Sequence, residues 1–80
     1  MKLKLEYEEP MPYIVWVWFD NYTERLEMWQ WSKKQFGNPL GPRFPDASWG
    51  YSDEPMLHYK FKNEADRTWF VLKWENNNEL

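Results

Sequence analysis

Residues 13–19 read Tyr-Ile-Val-Trp-Val-Trp-Phe, an extended run that is apolar on both parities. Tyr13, Val15, Val17 and Phe19 fall on one side of such a strand, and Ile14, Trp16 and Trp18 on the other. A half-buried strand alternates apolar with polar; one that does not is covered on both faces. Any fold for this chain must therefore shelter two sides of one strand.

The means of doing so are limited. Eighty residues make one domain, and a folded chain of that size buries only about 60 to 65 per cent of the surface it exposes unfolded. Seven Trp, five Tyr and five Phe bring aromatic residues to 21% of the chain. At about 150 to 250 Å² apiece, those rings carry on the order of 3,000 Å² of surface. One copy is not expected to hide them all.

Several function classes fall away on counts alone. The net charge is -3, from 10 Lys and Arg against 13 Asp and Glu, which is not the balance of a protein that holds duplex backbone by charge. The absence of Cys removes disulfides, thiolate nucleophiles and thiolate metal sites. No stretch approaches the about 18 to 20 apolar residues of a membrane span, and Met1-Lys2-Leu3-Lys4 alternates where a signal peptide turns apolar. A cytoplasmic protein with no membrane association is expected, with no cofactor specified.

Alternation over residues 2–8 predicts a first strand with Leu3, Leu5 and Tyr7 inward, ended by Pro10 and Pro12. After the strand at 13–19, Asp20 or Asn21 caps a helix that stops at Gly37-Asn38-Pro39. At 100° per residue its core stripe is Tyr22, Leu26, Trp29 and Phe36, and Trp31 points away from that stripe. A proline-rich loop follows. Residues 47–52 and 56–62 then form a hairpin, with Leu57, Tyr59 and Phe61 inward and Met56, His58, Lys60 and Lys62 outward. Asn63-Glu64-Ala65-Asp66 opens a short helix to about residue 70, which is expected to pass into an edge strand ending near 75. The fold class is thus α+β: an antiparallel sheet of 4–5 strands with two helices on one face. This is the ferredoxin-like β-α-β-β-α-β order with an extra N-terminal strand. The domain is drawn over residues 1–75, with 76–80 as a frayed tail.

The segment from Leu57 through Asn63-Glu64-Ala65-Asp66, continued by Phe70-Val71-Leu72-Lys73-Trp74, resembles a C-terminal pattern of small uncharacterised proteins of tailed, marine-type bacteriophages. The resemblance covers about a quarter of the chain. It implies a phage source and a host-cytoplasm setting, and it carries no activity or site.

Catalytic signals are thin. His58 is the one imidazole, beside Lys60 on the outward parity, with no Ser or Asp at a nucleophile or triad spacing. An interface histidine accounts for it better than a general base. Glu6, Glu8 and Glu9 lack a companion His and read as charges guarding a strand edge, not metal ligands. Single-stranded nucleic acid or nucleotide binding has more in its favour. Residues 28–45 hold Lys33, Lys34 and Arg43 and no acid, among Trp29, Trp31, Phe36 and Phe44, and aromatic sheet faces stack unpaired bases. Protein association explains more. An aromatic sheet face left open is what an interface core looks like, and a homodimer or a host protein is the expected partner. The residues assigned to binding or interface are Trp16, Trp18, Met28, Trp31, Lys33, Lys34, Arg43, His58 and Lys60, and no catalytic or metal residue is assigned.

Overall fold

A computed structural model describes residues 2–78, with side chains described as far as residue 75. The elements in chain order are β1 (Lys2–Tyr7), β2 (Tyr13–Trp18), α1 (Tyr22–Phe36), β3 (Trp49–Ser52), β4 (His58–Phe61) and α2 (Glu64–Asn78). The strands form one 4-stranded sheet in the order β1-β2-β4-β3, antiparallel at every step. Because β4 lies between β2 and β3, α1 connects two strands that are not neighbours.

Register sorts the side chains into two layers. Leu5, Val15, Tyr59 and Tyr51 stand in one row across the sheet, and Tyr7, Tyr13, Phe61 and Trp49 in the next. Val15, Val17, Trp49, Tyr59 and Phe61 from this face join Met28 of α1 and Phe70 and Trp74 of α2 in one buried cluster. Tyr59 and Trp49 stack with their planes 9° apart, and the Phe70 ring lies 4.8 Å from that of Tyr59. Aromatic rings thus provide most of the volume of the core. The other rows carry Lys4, Trp16, His58 and Ser52, and then Glu6, Ile14, Lys60 and Gly50, on the opposite face.

Helix α1 begins where its sequence says it should. The Asn21 side chain accepts from the Glu24 N–H at 2.9 Å, which meets one open donor of the first turn, and the Glu24 carboxylate accepts from the Asp20 N–H at 3.0 Å, which ties the entering chain to the helix. It ends at Gly37, whose φ of 84° suits a residue without Cβ and whose N–H reaches the Lys33 carbonyl at 3.0 Å.

The buried side of α1 is not the stripe expected from its spacing. Tyr22 is 71% and Leu26 44% exposed, while Met28 and Ser32 are fully buried. The buried direction is therefore rotated by roughly a quarter turn about the helix axis. The cause is that α1 has two neighbours. One flank meets the sheet through Trp29 against Tyr51 and Phe36 against Trp49. The other meets α2, where Trp31 lies 6.4 Å from Trp69, 6.3 Å from Phe70 and 6.0 Å from Trp74. The expectation of an outward Trp31 is thereby corrected: it is half-buried between the helices. Ser32 is accommodated in the core because its hydroxyl donates to the Met28 carbonyl at 2.8 Å.

The expected final strand is also corrected. Residues 70–75 are part of α2, which runs unbroken from Glu64 to Asn78. This stretch has no Gly or Pro to stop it, its first turn is acidic, and Phe70 and Trp74, one turn apart, both reach the core. The apparent alternation of Phe70, Leu72 and Trp74 does not describe one face, since Leu72 is 49% exposed. The proposed tail at 76–80 therefore starts inside helical backbone, and residues 79 and 80 lie outside the described residues. No helix among the described residues is long and apolar enough to cross a membrane.

Candidate interaction face and cleft

The second parity of β2 forms the centre of the face opposite the core. Trp18 is 40% exposed and carries the Lys2 ammonium 5.7 Å above its ring. Trp16, one row along, is half-buried: its ring lies 4.4 Å from that of His58 and its Nε1–H donates to the Glu6 carboxylate. Ile14 completes the strand and is buried.

Ile14 is buried because the connections fold over its end of the face. The turn after β1 brings Glu8, Glu9, Pro10 and Met11 to one side, and the turn before β4 brings Glu54 and Pro55 to another. Both turns hold a cis X-Pro bond, Glu9-Pro10 and Glu54-Pro55. The third wall is Leu40. Its N–H bonds the Trp49 carbonyl at 2.7 Å, and its side chain lies over Gly50, where an added Cβ would come within 3.2 Å of Leu40 Cβ. A side chain at position 50 would make Leu40 give by a few tenths of an ångström, so Gly50 lets the loop lie close on the sheet. Between these walls is a cleft of about 400 Å³ floored by Ile14, Trp16, His58 and Lys60.

His58 is built into this floor. Nδ1 lies 2.9 Å from the Met56 carbonyl, and since a carbonyl only accepts, Nδ1 is the donor in this contact. Among the described residues no hydroxyl or carboxylate side chain bonds the ring. The rim is acidic, with Glu8, Glu9 and Glu54 all exposed. A floor in which Ile14 and Trp16 lie beside His58 and Lys60, with carboxylates around it, suits an apolar side chain that has basic neighbours to meet the rim.

The residues singled out from sequence are only partly brought together. Trp16, Trp18, His58 and Lys60 share this face. Met28 does not: it is fully buried in the core and presents no surface to a partner. Trp31 belongs to the seam between the helices. Lys33 and Lys34 occupy the last turn of α1, where a cation favours the helix C-terminus, and the Lys33 ammonium sits 5.3 Å over Trp29. Arg43 lies in the loop, on a separate groove with Phe36, Asn38 and Phe44. The cations thought to accompany a stacked base are therefore dispersed. Met11, Leu40, Glu54 and Pro55 escaped notice because proline-rich segments carry no periodicity. The two-sided character of β2 was the one sequence signal that something must approach Ile14.

A smaller cavity of about 170 Å³ lies on the core side, lined by Arg25, Trp29, Tyr51 and Tyr59 among others. Arg25 is paired with Asp53, which raises the guanidinium above its ordinary pKa. Burial, reinforced by the Tyr51 hydroxyl, pushes Tyr59 above the ordinary tyrosine value. No group of three or more His, Asp or Glu among the described residues is placed to hold a metal ion.

Comparison with protein-family models, with curated proteins and with solved structures yields no match.

Proposed function

We propose that this chain is a non-enzymatic accessory protein that works by protein association, and that its docking platform is the second sheet face. The observation that carries this reading is Trp18 at 40% exposure beside a cleft whose apolar lining residues Ile14 and Met11 are already desolvated, 5% and 6% exposed. A half-exposed Trp next to a preformed apolar depression is the pattern of an interface anchor. In this reading both helices cover one face and leave the other open, as in the ferredoxin-like arrangement, with β1 at the edge where a C-terminal strand was expected. The phage setting implied by the C-terminal pattern makes a host cytoplasmic protein the natural partner, one that offers an apolar side chain flanked by Lys or Arg to Glu8, Glu9 and Glu54.

Single-strand or nucleotide binding is the second reading, favoured by Lys2, Lys4 and Lys60 lying on the same face as Trp16 and Trp18. It ranks lower because Trp16 is already engaged by His58 and Glu6. That leaves one free ring for stacking, and the rim is acidic.

The test is affinity capture from bacterial lysate with the native chain, Trp18→Ala and Trp69→Ala, since Trp69 is 52% exposed on a helix. A protein held by the native chain and by Trp69→Ala but lost with Trp18→Ala is the expected result. Retention by Trp18→Ala would contradict it, and quenching of Trp fluorescence by a short oligonucleotide at low salt would favour the second reading.

A further inference from the structure

The two edges of the sheet are not alike. At the β3 edge the Trp49 carbonyl is capped by the Leu40 N–H. At the β1 edge the pairing can be followed residue by residue. Glu8 N–H bonds the Pro12 carbonyl, and Val17 N–H bonds the Leu57 carbonyl. With the register Leu3 to Val17 and Leu5 to Val15, hydrogen bonding alternates along an antiparallel pair, so Lys2, Lys4 and Glu6 bond β2. Leu3, Leu5 and Tyr7 direct their N–H and C=O groups outward. Among the described residues none of those outward groups has a hydrogen-bond partner. Leu5 and Tyr7 are also exposed, 50% and 62%, although they lie on the core parity.

We infer that β1 pairs with β1 of a second copy about a two-fold axis through Leu5, making one continuous sheet of two copies. The charge pattern selects this partner and this register. With Leu5 opposite Leu5 of the second copy, Lys2 faces Glu8, Lys4 faces Glu6, and Leu3 faces Tyr7, each twice by symmetry. The outward backbone groups of Leu3, Leu5 and Tyr7 then meet their own counterparts in the hydrogen-bonded positions. A slip of the axis to Lys4 sets Lys4 against Lys4, and a slip to Glu6 sets Glu6 against Glu6. Only the central register opposes every Lys with a Glu. The charges that guard this edge against arbitrary strands are thus complementary to the same strand reversed. On the core parity, Leu5 meets Leu5 and each Tyr7 covers a Leu3, which shelters apolar surface that one copy leaves wet.

This inference deepens the association reading by placing the second copy at the edge, where it takes up Glu8 and leaves Trp18, Glu9 and Glu54 free, so the two can fail separately. Sedimentation velocity on the full chain over a wide concentration range is the experiment, with Lys4→Glu and Glu6→Lys examined alone and mixed, and far-ultraviolet circular dichroism confirming that each variant folds. The native chain is expected to dimerise and each variant alone to bind itself at least tenfold more weakly. The equimolar mixture is expected to recover the native affinity, because the Lys4→Glu strand opposite the Glu6→Lys strand again pairs unlike charges throughout. Trp18→Ala is expected to dimerise as the native chain does. A native chain that stays monomeric, a mixture no tighter than the variants alone, or a dimer broken by Trp18→Ala and not by the charge reversals would overturn the inference.

Discussion

Replacing Phe70 by Ala removes a ring that is fully buried and lies 4.8 Å from Tyr59, 5.5 Å from Phe61 and 6.3 Å from Trp31. Phe-to-Ala changes at such sites cost about 3 to 5 kcal/mol, the lost transfer energy plus the cavity left behind. A domain of this length is stable by about 4 to 12 kcal/mol, so the change takes away about a quarter of that or more. The melting temperature should fall by roughly 12 to 40 °C at about 4 to 8 °C per kcal/mol. Leu72 provides the internal control. It is 49% exposed on the same helix, and Ala is the better helix former, so Leu72→Ala should cost no more than about 1 kcal/mol. Urea unfolding followed by far-ultraviolet circular dichroism measures both, and Phe70→Leu preserves the ranking if Phe70→Ala does not fold. In a strand, Phe70 and Leu72 would share a face and the two costs would be similar. Equal destabilisation by the two Ala variants would therefore refute the helical assignment of residues 70–75 and the interhelical home of Trp31 with it.

Asn21→Ala removes the acceptor for the Glu24 N–H and should cost about 1 kcal/mol in urea unfolding, with Asn21→Ser recovering most of it. Gly37→Ala forces a Cβ onto a φ of 84° and should destabilise by about 1 kcal/mol, although nothing lies within 4 Å to clash with it. The alkaline limb of stability should depend on Tyr59. Its folded pKa is raised by burial above the ordinary 10.0, so between those values the unfolded chain has lost a proton that the native chain keeps. Stability is then fully present below about pH 10 and falls as the pH rises beyond it. Unfolding midpoints taken from pH 8 to pH 11 should drop less steeply for Tyr59→Phe, and an unchanged slope would assign the loss to other groups.

What was legible in the sequence followed from local rules. A cap at Asp20 or Asn21, which the structure places at Asn21, the Gly37 stop and the inward parity of Leu57, Tyr59 and Phe61 each depend on near neighbours, and the structure has them all. The misplacements share one origin. Reading residues 70–75 as a strand took away the second half of α2, and with it Trp74, which completes the aromatic seam that Trp69 and Phe70 form against Trp31. A helix with one neighbour has one stripe; α1 has two, so its buried centre shifted to Met28 and Ser32, and Met28 became core. The face itself was visible as the double apolar parity of β2. Its cleft was not, because Met11, Leu40 and Pro55 reach it from segments whose course is set by tertiary contacts and not by periodicity. For the same reason Lys33, Lys34 and Arg43, close in sequence to aromatic residues, do not join Lys60 in space.

The platform itself is tested most directly by the indole N–H signals of the seven Trp residues, recorded with a soluble paramagnetic probe on the chain alone and bound to the protein it captures. Trp18 should be strongly attenuated alone and protected when bound, with Trp49 and Trp74 spared in both states. Protection confined to Trp69, or a Trp18 signal equally attenuated with and without the bound protein, would contradict the account.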